Sequence, residues 1–333
     1  MEIQIVPYNP EWHNQLLGYM QSVFPHRNLN YLEWWITNID LSKDCWEKCL
    51  LIINDSNIIG CTTVNQTAII NNNNINFFFF RGNTIISQDQ RGKGISKEIY
   101  NRVNSYNNWL SVGITDIAWN IQPKYVTNFT PLHPINVYIS LNIYIIKQLI
   151  KKFFHRELTY SSFPFSMSVG SHEKIVKVKD VNQMDIPQNG KWSSDEIELV
   201  RDIDFFRKRF FDIYCSEKYV IYQYISNDRL IGYVVLRGII YKGLDMVSLV
   251  DYRFFSRADE PKAFKAASKF AKHFGIGLVL TLTSRKYTFN LSPLTIMMKK
   301  KLNCATGMKQ YLEKFNDMLI TSADSDLDFV YYK

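Results

Sequence analysis

The stretch from Thr84 to Val103 constrains this chain more than any other. Thr84 to Ser87 is apolar and β-prone. Asp89-Gln90-Arg91-Gly92-Lys93-Gly94 interrupts it with polar residues and glycine. Ile95, Ile99 and Val103, with Tyr100, then recur at helical spacing. The order is strand, glycine loop, amphipathic helix. The first amides of a helix have no partners inside it and sit at the positive end of its dipole. A glycine loop lets the backbone close on an anion without a Cβ in the way. Arg91 and Lys93 add positive charge at the same spot, so the spacing predicts a diphosphate there. Two better-known phosphate motifs are absent: no Gly-x4-Gly-Lys-Ser/Thr occurs, and no Gly-x-Gly-x-x-Gly follows an early strand.

The rest of the chain reads as mixed α and β. Asn9-Pro10-Glu11-Trp12 resembles a helix entry, and a second helix is expected around Leu32 to Ile39. Cys49 to Ile53 and Ile58 to Val64 flank a polar turn as a hairpin. Ile75 to Phe80 and Ile114 to Trp119 read as strands. Val137, Ile139, Leu141, Ile143 and Ile145 alternate as in a half-buried strand. Residues 161 to 194, richer in Ser, Gly, Pro, Asn and Lys, read as a connector with a short strand near Ile175 to Val178. The second half then repeats the order of the first: a helix over Glu196 to Phe211, a hairpin over Tyr219 to Leu236, a strand over Asp245 to Phe255, a helix over Pro261 to Phe274 and an apolar run over Ile276 to Leu282.

Composition bounds the function classes. The chain has 333 residues, 46% of them apolar and 21% charged, which excludes disorder, collagen and coiled coil. Its length suggests two domains. Cys45, Cys49, Cys61, Cys215 and Cys304 are odd in number and lack the histidines of a zinc set, so reduced thiols and a cytoplasmic location are expected, with no metal. The N-terminus lacks a signal-peptide pattern. The longest apolar segment, Ile135 to Phe154, is broken by polar residues, so no membrane insertion is expected. A formal net charge of +8 favours polyanionic partners. The longest basic run, Lys299-Lys300-Lys301, is too short for a nucleic-acid stripe, which makes a nucleic-acid binder the weakest alternative.

Arg91-Gly92-Lys93-Gly94-Ile95-Ser96 resembles the acyl-CoA motif of the GNAT N-acetyltransferases, Arg/Gln-x-x-Gly-x-Gly/Ala, with Ser96 in the last position. The resemblance implies an α/β (α+β) fold. Two GNAT-like domains are expected, each a mixed, mostly antiparallel twisted sheet flanked by helices. Residues 1–158 would bind acyl-CoA, 159–195 would connect, and 196–333 would be a degenerate copy shaping the acceptor pocket. The resemblance further implies that the motif amides, from Arg91 through Gly92, Lys93, Gly94 and Ile95 to Ser96, hold the CoA diphosphate. Pantetheine would lie in a split between the strand carrying Ile85, Ile86 and Ser87 and the next strand. The acceptor amine would attack the thioester directly.

Asn83, Asn120 and His133 are the candidate catalytic groups, with Tyr125 and Tyr138 as candidate proton donors. Trp119, Asp251 and Arg253 are candidate acceptor contacts, Asp251 and Arg253 sharing one strand face at period two. Asp324-Ser325-Asp326 reads as a solvated turn. Tandem chains of this kind resemble acyltransferases of surface-polysaccharide synthesis. The expected reaction is transfer of an acetyl or short hydroxyacyl group, such as 3-hydroxybutyryl, to a nucleotide-linked amino sugar of the dTDP-amino-dideoxyhexose type. A peptide amine is the alternative acceptor, and a homodimer is compatible with the reading.

Overall fold

The computed structural model describes residues 3–25, 27–37, 49–72, 74–104, 108–150, 162–193, 195–212, 214, 218–241, 243–287, 294–308 and 312–324. The chain runs β1 (Gln4–Pro7), α1 (His13–Val23), α2 (Leu29–Thr37), β2 (Cys49–Asn54), β3 (Asn57–Asn71) and β4 (Asn74–Ile86). Then come α3 (Ile95–Val103), β5 (Trp109–Ile114), α4 (Asp116–Tyr125), β6 (Thr130–Leu141) and α5 (Tyr144–Ile150). There follow β7 (Ser166–Gly170), β8 (Glu173–Lys177), β9 (Ile197–Leu199), α6 (Ile203–Phe210), β10 (Tyr219–Ser226) and β11 (Arg229–Tyr241). The chain ends with β12 (Leu244–Phe254), α7 (Pro261–His273), β13 (Leu278–Thr283), β14 (Thr295–Thr306) and α8 (Leu312–Asp317).

These elements form two compact units. One takes Met1–Ala68, Asn76–Leu132 and Asn303–Leu312; the other takes Ile69–Ile75, His133–Leu302 and Glu313–Lys333. Compactness follows strand pairing and not sequence order. In the first unit β1, β2, β3, β4, β5 and the end of β14 lie side by side. β1 pairs with β2, β2 with β3, and β5 with β14, all antiparallel, while β4 and β5 are parallel. In the second unit β6 pairs antiparallel with β13, β13 runs parallel to β12, and β11, β10, β8 and β7 follow as antiparallel neighbours. The segment read as a connector thus carries the hairpin β7–β8, which extends this sheet. The mixed α/β class with helix-flanked, mostly antiparallel sheet is as expected.

Local chemistry explains the elements. The β2–β3 and β10–β11 hairpin turns use Asp55-Ser56 and Asn227-Asp228, all four at positive φ, the conformation that two-residue hairpin loops demand. Asn9 accepts from the Glu11 amide and Pro10 opens the turn that leads into α1. Pro261 opens α7, whose Ala263, Ala266, Ala267, Phe270 and Ala271 are all buried, as their spacing predicts. In the first unit Leu50 and Ile52 of β2 meet Ile95, Ile99 and Tyr100 of α3 with Phe79 and Trp109 in one core. Each such side chain contributes about 1.5–3 kcal/mol by its burial.

Three sequence expectations are corrected. Ile114 to Trp119 is not a strand: β5 ends at Ile114 and α4 begins at Asp116. Thr115 caps that helix, its hydroxyl accepting from the Ala118 amide at 3.3 Å, and Asp116 complements the dipole. The alternation through Ile145 ends at Leu141, because Asn142 takes the Tyr144 amide on its side chain at 2.9 Å and starts α5. The helix over Glu196 to Phe211 shrinks to Ile203–Phe210, capped by Asp202 on the Phe205 amide at 2.8 Å. Ahead of it β9 pairs with the end of β3, and Glu198 turns inward to accept from the Trp192 and Ser193 amides. The last residues of the expected helix at Leu32 to Ile39 lie outside the described residues, as do Cys45, Cys215, Ser325 and Asp326.

The second unit is held by a buried ionic cluster. Asp251 accepts from Arg201 at 2.9 Å, Arg253 at 2.8 Å, the Tyr233 hydroxyl at 2.8 Å and the Thr321 hydroxyl at 2.7 Å. Arg201 also pairs with Asp324. Burial pushes the Asp251 carboxyl up, but Arg201 and Arg253 outweigh it and hold it below the usual carboxylate range. Removing one member of such a pair strands a buried charge. Asp251→Asn is therefore expected to cost about 3–5 kcal/mol. The check is the urea midpoint of the transition that unfolds this unit; an unshifted midpoint would contradict the cluster's structural role.

Candidate functional site

β4 and β5 are the parallel pair of the first unit. Their pairing runs from Phe79/Trp109 through Phe80/Leu110 to Arg81/Ser111. β4 nevertheless continues to Ile86 and β5 to Ile114. Beyond the last pair the strands take partners on opposite sides. The Thr84 hydroxyl meets that of Thr62 in β3 at 2.9 Å, and the Ser87 amide donates to the Ile59 carbonyl at 2.9 Å. On its other side β5 stays paired with β14, from Leu110/Thr306 on to Val112/Cys304 and Ile114/Asn303, with a register shift between the last two. Gly113 sits in that shift at φ 74, a bulge that bends β5 away and that glycine adopts without strain. The result is a wedge, closed at Arg81/Ser111 and open toward Ile86 and Ile114. Its facing strand edges suit an extended ligand with amide groups of its own.

The expected anion loop stands at the mouth of this wedge. β4 leads through Ser87 and a 3-10 turn over Gln88–Gln90 into Arg91-Gly92-Lys93-Gly94, all four exposed, and then into α3. Gly92 and Gly94 both have φ 82, and a Cβ at either would meet nothing within 4 Å. The requirement for glycine is therefore conformational. Gly94 caps α3 from the left-handed region, and its carbonyl accepts from the Lys97 amide at 2.9 Å. The Ile95 and Ser96 amides lie in the first turn, where helix geometry leaves them without a carbonyl. Ile95 is buried and fixes the helix; Ile85, Ile86, Ser87 and Ser96 are half-buried. Arg91 donates from Nε to the Ile86 carbonyl at 3.2 Å, and Lys93 reaches Gln90 Oε1 at 3.0 Å. Charge, exposed amides and the open wedge converge on one place.

The other expected residues fall elsewhere. Asn83 belongs to β4 beyond its last pair with β5; its side chain lies outside the described residues. Trp119 and Asn120 are not at a strand end but on α4. Trp119 packs edge-on against Phe129 at 5.3 Å, while Asn120 is exposed. Tyr125 ends α4, exposed. His133 is in the second unit, exposed on β6, with its amide bonded to Asn316 Oδ1 at 2.8 Å. Tyr138, buried in the same unit, takes the Tyr287 amide at 2.9 Å. Asp251 and Arg253 share a strand as read, yet both are fully buried and turned to protein groups. Asp324 is no solvated turn: it closes that ionic cluster through Arg201.

Sequence reasoning missed Arg81 and Trp109, which meet at the closed end of the wedge. One signal was available: Arg81 is a lone charge inside the apolar run Phe77-Phe78-Phe79-Phe80-Arg81. A second wedge was also missed. In the second unit the parallel pair β12–β13 stops at Leu249/Thr281, although β12 continues to Phe254. The chain fills this wedge itself. Thr321 bridges Thr283, the Arg253 guanidinium donates to the Leu319 carbonyl at 3.2 Å, and the Ser322 hydroxyl donates to the Val250 carbonyl at 2.8 Å.

No protein-family model matches the sequence, and a search of curated proteins finds no relative. Solved structures do match. A GCN5-related N-acetyltransferase from Anabaena variabilis superposes with a TM-score of 0.55 at 12% identity, over 92% of this chain and 72% of its own. The chain has the GNAT fold. A probable N-acyltransferase from Enterococcus faecalis gives a TM-score of 0.54 at 12% identity, over 92% of this chain and 72% of that one. Saccharomyces cerevisiae N-myristoyltransferase with bound myristoyl-CoA gives 0.52 at 12% identity, over 91% and 82%.

Gly94→Ala tests the loop. A left-handed residue with a Cβ costs roughly 1–2 kcal/mol. The variant is expected to lose that much stability, with faster amide hydrogen exchange confined to the start of α3. Unchanged exchange there would contradict the assigned backbone conformation.

Proposed function

We propose that this protein is an acyl-CoA-dependent N-acyltransferase whose acceptor is the amine of a nucleotide-linked amino sugar. The observation that carries the reading is the alignment of an exposed basic helix start with the mouth of the β4–β5 wedge. Helix amides and Arg91 and Lys93 suit the CoA diphosphate, and the wedge suits the pantetheine arm, whose amides match strand edges. The GNAT fold supports the same use.

The chemistry needs little more than placement. A neutral amine attacks the thioester carbonyl, the carbonyl oxygen becomes an oxyanion, and the C–S bond breaks with the thiolate taking up a proton. Strand amides on the wedge edge, near the Gly113 bulge, are placed to stabilise the oxyanion. Asn83, beyond the last strand pair, remains the proposed contact to the acceptor or the carbonyl; His133, exposed in the second unit, is not assigned a part in it. Trp119, Asn120, Asp251 and Arg253 are left out, since their surroundings give them structural roles or none.

The acceptor reading rests on charge and on the repeated parallel pair. Both reactants would carry phosphates, in keeping with the net charge of +8. The repeated parallel pair, one wedge open and one filled by its own chain, supports a tandem arrangement in which 1–158 binds the cofactor and 196–333 shapes the acceptor site. A cytoplasmic setting and surface-polysaccharide synthesis belong to the same proposal.

The test is calorimetric titration of CoA into the wild type and an Arg91→Ala/Lys93→Ala variant. Two lost phosphate contacts predict at least a tenfold weaker affinity and a shallower dependence on salt. Equal affinity would refute the site. Acyl transfer to dTDP-amino sugars and not to a peptide panel is the expected acceptor result, and the reverse preference would refute the sugar.

A further inference from the structure

Arg81 is the last residue of β4 to pair with β5, and it is only 7% exposed. Its guanidinium lies over the Trp109 ring, 4.5 Å from the centroid, and 5.5 Å from that of Tyr100. Aromatic faces stabilise the charge from above but offer nothing to its in-plane N–H groups. Nη1 is buried without a hydrogen-bond partner, and among the described residues no carboxylate pairs with this arginine. Burial pushes its pKa down to about 10, so it stays cationic at neutral pH.

The surroundings hold it in place. The Trp109 carbonyl accepts from the Thr306 hydroxyl at 2.8 Å and the Gly307 amide at 3.1 Å. Gly307 lies so close to the indole that a Cβ there would stand 2.2 Å from Nε1. Gln122 of α4, also 7% exposed, has its Oε1 buried without a partner. An unpaired buried guanidinium destabilises a fold, and such groups mark ligand sites.

The wedge says which part of a ligand arrives here. Ile86 at its mouth is five residues from Arg81, about 17 Å of strand at ~3.3–3.4 Å per residue. A thioester carrier with its diphosphate at Gly92–Ser96 would point its acyl group at the closed end. We propose that Arg81 receives the distal carboxylate of a short dicarboxylic acyl group. The acyl group transferred is then anionic, in place of the acetyl or hydroxyacyl group the sequence suggested. This rests on the acyl-CoA reading above.

The experiment is calorimetric titration with CoA, butyryl-CoA, 3-hydroxybutyryl-CoA and succinyl-CoA. Butyryl and succinyl have equal carbon counts and differ by a carboxylate in place of a methyl group. The wild type is expected to bind succinyl-CoA at least tenfold more tightly than either four-carbon alternative. Arg81→Met is expected to abolish or invert that ratio, which cancels any general loosening of the site. Arg81→Lys, keeping the charge without the fork, is expected to retain part of it and stands in if the methionine variant does not fold. A wild-type preference for butyryl-CoA or 3-hydroxybutyryl-CoA would overturn the proposal, as would a ratio that Arg81→Met leaves unchanged. Failure of every thioester and of CoA itself to bind would instead overturn the acyl-CoA reading on which it rests.

Discussion

The parting of β4 from β5 after Arg81/Ser111 is the constraint on which the candidate site depends. Two parallel strands that stayed paired would leave no edge for a ligand. β5 stays paired with β14 through the bulge at Gly113, while β3 keeps β4. The separated edges expose main-chain donors and acceptors that need partners. At the open end, the start of α3 supplies further amides and charge. Backbone conformation does most of this; side chains mainly fix it, through Ile95 under the helix and Trp109 against Gly307.

The second unit shows what a wedge of this kind becomes when the chain closes it. Beyond Leu249/Thr281 the segment Leu319–Asp324 lies along the gap, with Thr321 paired to Thr283. Asp251 and Arg253 then face that segment and Arg201 instead of solvent. The same backbone geometry thus serves binding where it is left open and stability where it is filled. Buried charge follows the division: Arg201 and Arg253 are paired with carboxylates of their own chain, and among the described residues Arg81 is not.

Much of this was legible in the sequence where local chemistry decides the outcome. The glycine loop and α3 follow from residues within one turn of each other, and the alanine face of α7 from simple spacing. Longer-range effects were not legible. Apolar Ile114-Thr115-Asp116-Ile117-Ala118-Trp119 reads as a strand until Thr115 is recognised as a cap. Asp251 and Arg253 looked like an acceptor grip because their partners, Arg201, Thr321 and Asp324, are 50 to 73 positions away in the sequence. Arg81 carried a signal, one charge in a phenylalanine run, but its meaning depends on β5 and α4 folding around it.

A crystal structure of the protein with CoA is the most direct measurement of the central claim. The diphosphate is expected against the Gly92–Ser96 amides and the pantetheine arm between β4 and β5, its sulfur directed toward Arg81. Density for CoA in the second unit, or a β4–β5 gap closed by protein with CoA bound elsewhere, would contradict it.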